Sequence, residues 1–501
     1  MERGRGPRRR CGDLEEHRSL PECTFGEVRA LLHEALERGA ARGPSRGGTD
    51  GRTPDGPAAR DRLRSGGVPA ALRSPPRAAS ARLRRDLKAP RKRGPIRPVL
   101  EEVSIRGFKS LADVTLELGR FNVVIGANGA GKTNLLEAIG LIGCAAYGAV
   151  DDEAFLRRGV RPGVPALFKS AFKGRDKIPR LIRLQATSPD GGLYRVALDN
   201  PIGEPQPAWR IANESVELHG EVIASRGPAG ARLKLSHDTK RESVQLDSRS
   251  SIAQFVRARP DALPSGLLGD LADFAIYTPF TPMLRGTVPD SSARVPLGLS
   301  GGRLAEATRE LSRGTAHERE GLEVALGLID WARSIDVGTP AEAQLSPAVG
   351  TKRNVVRFRD RFMVDKRSWL SAFDASEGAL YVLFLSILAA HGQSPRVVAI
   401  DNVDQGLNPR LARALISRTQ EMILGDVSRP QMILTAHSPL VLDALRLRDP
   451  RVRLFVVQRA RSGETQVRRL PWDEALEKAE EAGMTLSRLW LSGALGGMPE
   501  L

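Results

Sequence analysis

The chain has 501 residues, 41% of them hydrophobic and 27% charged, with three cysteines and a formal net charge of +17. That length accommodates two or more domains, and the composition excludes a wholly disordered chain. The apolar run at residues 379–390 falls short of the roughly 20 residues that cross a bilayer, and no apolar segment follows the basic N-terminus. No membrane span and no secretory leader are predicted, and the cytoplasm is the expected compartment.

Much of the charge sits at one end. Residues 1–98 carry 24 basic against 12 acidic side chains, leaving +5 on the other 403 residues. Residues 1–97 are rich in Arg, Pro, Gly and Ala and read as a disordered basic extension. Residues 25–38 have helical apolar spacing within it. Two readings stay open for the extension: an arm that binds nucleic acid, or a translation start placed upstream of the true one.

From residue 99 the pattern changes. Alternating apolar residues at Val103, Ile105, Val114, Leu116 and Leu118 predict strands, and residues 121–125 read as a fully buried strand. A helix is predicted over 132–146. Between that strand and that helix lies Gly126-Ala127-Asn128-Gly129-Ala130-Gly131-Lys132-Thr133, which matches G-x-x-x-x-G-K-[ST] in the context that gives the motif its meaning. Its glycines let backbone N–H groups turn towards phosphates. The helix N-terminus adds positive potential, Lys132 is suited to the β- and γ-phosphates, and Thr133 to Mg²⁺. ATP and Mg²⁺ are therefore the predicted ligands.

The middle of the chain is less regular. Strands are predicted at 181–186, 194–198 and 355–364, and helices at 303–311 and 319–333. No heptad pattern is sustained, so no long coiled-coil arm is expected. Lys352, Arg353, Arg357, Arg359 and Arg361 could line a DNA surface or a solvated sheet face.

Two segments compete for a signature role, in which a serine at a helix N-terminus reaches the γ-phosphate bound by another protomer. Leu299-Ser300-Gly301-Gly302-Arg303 has the letters but lies about 100 residues before the later carboxylate strand. Ser376-Glu377-Gly378 opens the apolar helix 377–390, which feeds directly into that strand, and is preferred. Its alternative reading is an ordinary helix N-cap.

Helix and strand then alternate: strand 397–400, helix 410–423, strand 431–435 and helix 440–445, which implies a parallel sheet with helical crossovers. Asp401 ends a buried strand, as a Walker B residue must to reach the magnesium shell. The next position usually holds a carboxylate that polarises water; here it is Asn402, whose amide cannot take a proton. Asp404 is the nearest candidate base. Slow hydrolysis and an ATP-gated clamp are both compatible with that substitution. His437, at the end of strand 431–435, is placed to sense a γ-phosphate. The cysteines, Cys11, Cys23 and Cys144, have no metal-ligand spacing.

Taken together, Ile105-Arg106-Gly107-Phe108-Lys109-Ser110, the phosphate loop through Asn134, Ser376-Glu377-Gly378, Asp401-Asn402-Val403-Asp404 and Thr435-Ala436-His437-Ser438-Pro439 resemble the RecF/SMC-like AAA family ATPases. The resemblance implies an α/β fold: a P-loop, ABC-type head split in sequence, with its first half at 99–200, an inserted α+β region at 201–364 and its second half at 365–501. It implies a homodimer formed on ATP, with Lys132, Asp401 and His437 acting in cis and Ser376 in trans. It also implies DNA as a partner, and work in DNA repair or maintenance or in phage defence beside an effector such as a nuclease. Asn134 and the Arg106-Gly107-Phe108-Lys109 entry strand resemble the DNA-repair branch more than an ABC transporter subunit, which is the alternative. No Glu-then-Asp-x-Asp arrangement follows His437, so no nuclease centre is expected there.

Overall fold

A computed structural model of the chain describes residues 96–496, apart from 175–176, 200–208, 235–240, 259–265, 291, 293 and 351–353. The predicted extension with its helix at 25–38, Cys11, Cys23, Lys352 and Arg353 therefore lie outside the described residues. The chain divides into two units. The described part of one is residues 473–483, a helix at Glu474–Glu481 whose N-cap Asp473 accepts from the Leu476 N–H. Everything that follows concerns the other.

Among the described residues, seventeen strands form three sheets. In chain order they are β1 (Glu102–Phe108), β2 (Leu111–Glu117), β3 (Phe121–Gly126), β4 (Leu181–Thr187), β5 (Gly192–Asp199), β6 (Arg210–Leu218), β7 (Glu221–Gly227), β8 (Gly230–Lys234) and β9 (Arg241–Val244). There follow β10 (Ala275–Tyr277), β11 (Ala332–Gly338), β12 (Val355–Asp360), β13 (Trp369–Ser371), β14 (Val397–Ile400), β15 (Gln431–Ala436), β16 (Val452–Arg459) and β17 (Thr465–Leu470).

The site rests on a six-stranded sheet, β10-β14-β15-β3-β16-β17, parallel except for β17. Every residue of β3, β14 and β15 is buried, the uninterrupted pattern of a parallel sheet covered on both faces. The polar residue Gln431 is fully buried in it. Its Oε1 accepts from the N–H groups of Val99 and Leu100 (2.8 and 2.7 Å), and its Nε2 donates to the carbonyls of Leu100 and Gly119 (2.9 and 2.7 Å). The amide is thereby satisfied and ties the entry segment to β15.

The second sheet is an eight-stranded antiparallel meander, β2-β1-β4-β5-β6-β7-β8-β9. Its strands alternate buried and exposed residues, as one-sided sheets do. The buried face carries a carboxyl, Glu214, which accepts from Tyr194 Oη (2.7 Å), from the Ser251 hydroxyl and from the Ile252 N–H (2.9 Å). A three-stranded sheet, β11-β12-β13, stands before the signature segment.

Helices α1 (Lys132–Tyr147), α2 (Leu304–Arg313), α3 (Ala316–Leu328), α4 (Glu377–Ala390) and α5 (Pro409–Gly425) supply most of the helical packing. α4 is buried almost all round, so its sequence lacks a polar face. Cys144 is buried on α1, and burial pushes its thiol up to about 12, which makes it inert.

Several boundaries differ from the sequence reading. The sheet does not break at residue 200: β6 pairs with β5 through eight residue pairs and β7–β9 continue the meander. β10, within 201–364, joins the parallel sheet beside β14. The helix predicted at 319–333 starts at Ala316, because Thr315 and Glu318 form a reciprocal capping box, and it stops at Leu328 before β11. The strand predicted to reach 364 ends at Asp360, whose carboxylate turns the chain by accepting from the Phe362 N–H. Residues 439–444 form a 3₁₀ turn in place of an α-helix.

Candidate functional site

The site lies at the C-terminal ends of the parallel strands. β3 ends at Gly126, the loop turns through Gly129 (φ +76°) and Gly131 (φ +113°), and α1 starts at Lys132. A Cβ on Gly126 would lie 2.2 Å from the Val457 carbonyl oxygen, and one on Gly131 would lie 2.2 Å from Thr465 Oγ1. These glycines are thus imposed by the β16–β17 hairpin as well as by phosphate chemistry. Nothing stands within 4 Å of a Cβ on Gly129, and Asn128 beside it is exposed, so the tip of the loop is open.

Lys132 Nζ donates to the carbonyls of Gly126 (2.7 Å) and Ala127 (3.1 Å). Burial lowers its pKa, against the pull of Asp401 and Asp404. Thr133 Oγ1 donates to Asp401 Oδ2 at 2.8 Å, and Thr435 Oγ1 donates to Asp401 Oδ1. A hydroxyl from the loop and a carboxylate from β14 therefore stand side by side. This hard-oxygen pair fits Mg²⁺, whose supplied chemistry is charge neutralisation at phosphate oxygens. Thr435 also accepts from the Asn402 N–H (2.8 Å). It lay inside a recognised motif, but its role as a brace behind the aspartate is legible only from the β14–β15 register.

Two residues after β14, Asn402 and Asp404, bond the loop after β15. Asn402 Oδ1 lies 2.9 Å from His437 Nε2. The Asp404 carboxylate accepts the backbone N–H groups of His437 and Ser438. Asp404, read from the sequence as a base, thus anchors the histidine loop. Burial first, then Lys132, pushes the His437 imidazole below its usual range, against Asp404 and Asp401.

Other residues support the loop from behind. Asn134 Nδ2 donates to Ser110 Oγ (2.8 Å), and Thr465 Oγ1 lies 2.6 Å from Ser110 Oγ and 2.8 Å from the Ala130 carbonyl oxygen. Asn134 is therefore directed at the entry strand. Glu137, fully buried on α1, is held by Lys109 (2.5 Å) and Arg161 (2.6 Å). This explains the lysine of the entry motif.

Ser376 caps α4 by accepting from the Ala379 N–H at 3.3 Å, and its residue is exposed. Glu377 bonds the Thr281 hydroxyl, and Gly378 lies against Gly406 in the turn after Asp404. Among the described residues, none of the hydrogen bonds of Ser376–Gly378 reaches the phosphate loop of the same chain. Leu299–Arg303 forms a turn, with the Ser300 and Gly302 N–H groups held by Asp290, leading into α2.

A glycine loop between a buried strand and a helix, with the loop threonine bonded to a Walker B aspartate and the loop lysine beside them, defines a P-loop nucleotide-binding protein. Residues 121–443 match the model of the family described as "AAA domain, putative AbiEii toxin, Type IV TA system", and the chain belongs to that family. It is 34% identical over 104 residues to the DNA replication and repair protein RecF of Paenarthrobacter aurescens, covering 21% of this chain and 25% of that protein. It is 28% identical over 152 residues to RecF of Beutenbergia cavernae, covering 30% and 36%. The chain thus matches between a quarter and about a third of the length of these relatives. Among solved structures, an SMC head bound to the C-terminal winged-helix domain of ScpA has 13% identity and a TM-score of 0.47, covering 76% of this chain and all of that one. The SMC head domain from Thermotoga maritima has 14% identity and a TM-score of 0.35, covering 75% and 99%. Likeness this distant assigns nothing further to the chain.

Proposed function

We propose that this protein binds MgATP, dimerises through its heads on ATP and hydrolyses it slowly, acting on DNA beside a partner effector in repair, maintenance or phage defence. The observation that carries the reading is the contact of Thr133 with Asp401 beside the Lys132 loop. In the proposed dimer Ser376, exposed at the start of α4, completes the partner's site. The test is ATP binding, phosphate release and sedimentation with and without double-stranded DNA. Loss of ATP binding in Lys132→Ala together with ATP-dependent dimerisation of wild type is expected. ATP binding that survives Lys132→Ala would sink the reading.

DNA has its own support. The Arg357 and Arg359 side chains of β12 are occupied by Asp336 and Asp365 and stack on Trp369, while Arg361 donates to the Ala332 carbonyl. A better surface lies at the exposed face of the antiparallel sheet. There Arg183 and its cross-strand neighbour Arg106, which pairs with Asp113 at 3.1 Å, line with Lys173 and Lys177 a hollow of about 630 Å³. No carboxylate lines it among the described residues. Such a basic hollow suits a phosphodiester backbone.

A second reading, an ATP-gated clamp that does not turn over, is favoured by Asn402 at the usual carboxylate position. A transporter subunit is less well supported, since Leu299–Arg303 is a turn held by Asp290.

A further inference from the structure

Asn402 has φ +57°, a left-handed conformation that asparagine tolerates better than most side chains. The turn brings its amide to one edge of the His437 ring, with Oδ1 2.9 Å from Nε2. At the other edge, Nδ1 lies 3.3 Å from Lys132 Nζ. These two contacts together decide where the ring proton is. An ammonium has only protons to offer, so Nδ1 must be the acceptor; the proton of the neutral ring then sits on Nε2, and the amide must present its oxygen. An amide turned the other way would donate to Nε2, leaving the proton on Nδ1 facing the ammonium.

The ring's surroundings agree. Lys132, Asp401 and Asp404 are the charged groups that act on it, and burial with the lysine outweighs the two carboxylates, lowering the pKa and so favouring the neutral ring. Asp404, the other candidate for the proton, has both carboxylate oxygens engaged by backbone N–H groups of the histidine loop.

We propose that His437 is the general base of ATP hydrolysis and that Asn402 is its positioning residue, holding the proton on Nε2 so that the Nδ1 lone pair faces the phosphate end of the loop. The inference rests on the hydrolysis proposed above. In the step, a water oxygen bonds to the terminal phosphorus and the water proton passes to Nδ1. The bond from that phosphorus to the bridging oxygen breaks, its electron pair leaving on the diphosphate. Lys132, drawn on its flexible stem to phosphate oxygens, releases Nδ1 for this purpose. The imidazolium that results is offset by Asp404. This is the arrangement of a base oriented by a third group, with an amide in the orienting place. A carboxylate at position 402 would act differently: it would favour the imidazolium, whose Nδ1–H then opposes Lys132.

The test combines kinetics with ¹⁵N spectra of the full chain labelled at histidine, with His437 assigned by difference from His437→Gln. Without added nucleotide, wild type is expected to show one neutral tautomer protonated at Nε2, and Asn402→Ala to lose it. His437→Gln should lower kcat by about 100-fold or more, the scale of general-base catalysis, with ATP affinity within a few-fold. Asn402→Ala should lower kcat with little change in KM. Asn402→Asp keeps the acceptor and the shape, guarding against a folding failure, and should move the acid limb of the kcat profile to higher pH. Asn402→Glu should lower turnover. A rise in kcat in Asn402→Glu, normal turnover in His437→Gln, or a ring protonated at Nδ1 would each overturn the proposal. Wild type that binds ATP without releasing phosphate overturns the base and leaves the clamp reading standing. Absence of ATP binding overturns both.

Discussion

The two large sheets handle polar groups in opposite ways. The parallel sheet is buried on both faces and gathers its chemistry at one end, where Gly126, Asp401 and His437 follow three neighbouring strands. The antiparallel sheet spreads polar side chains over an exposed face and has no such end. Each also buries a polar side chain tied to backbone groups, the Gln431 amide in the first and the Glu214 carboxyl in the second. In the first sheet a single substitution should remove function or stability outright; in the second, effects should be graded and depend on salt or pH.

The largest effect is expected at the end of the parallel sheet. Lys132→Ala should weaken ATP binding by about 100-fold or more, because a charge-assisted contact to phosphate is lost from a buried site; equilibrium binding of a fluorescent ATP analogue would read this. Next, Gln431→Leu strands the buried N–H groups of Val99 and Leu100 and should cost about 3–5 kcal/mol of stability in denaturant melts. A loss below about 1 kcal/mol would show that water replaces the amide and that the contrast between the sheets is overstated.

In the antiparallel sheet, burial raises the pKa of Glu214, against its hydrogen bonds from Ser251, Ile252, Tyr194 and Ala253. A carboxyl raised on folding favours the native state below its unfolded value, and that contribution is lost as pH rises through the raised one. Wild-type stability should therefore decline from about pH 4.5 upwards, and Glu214→Gln should flatten the decline. The smallest effect is on the exposed face: Lys177→Ala should weaken DNA binding a few-fold and reduce the salt slope by about 0.9, one phosphate contact. An unchanged slope would move the DNA surface elsewhere.

Legibility in the sequence followed the same division. β3, β14 and β15 are short, mostly apolar runs, so the parallel sheet was legible in the sequence. The strands β6–β9 were missed because exposed or half-exposed polar positions such as Asn213, Ser215 and Ser225 interrupt the apolar signal. β10 has only three residues, too few for periodicity to register. Within the site, residue types were legible but partners were not. Asp404 has the chemistry of a base, and only the loop after β15 shows that its oxygens are taken by backbone N–H groups. Asn402 read as a loss, because nothing in the linear order says that its amide meets His437.

The position of β3 also bears on how the chain comes to be folded. Its neighbours β15 and β16 come late, and the Asn122 side chain bonds the Met432 carbonyl across 310 residues. During synthesis at about 5–20 residues per second, β3 therefore waits on the order of 15–60 s with both hydrogen-bonding edges bare. The phosphate loop cannot be braced until Thr465 has left the ribosome. A nascent chain stalled short of that point would expose an apolar strand with two open edges, the kind of segment that aggregates or is held by chaperones.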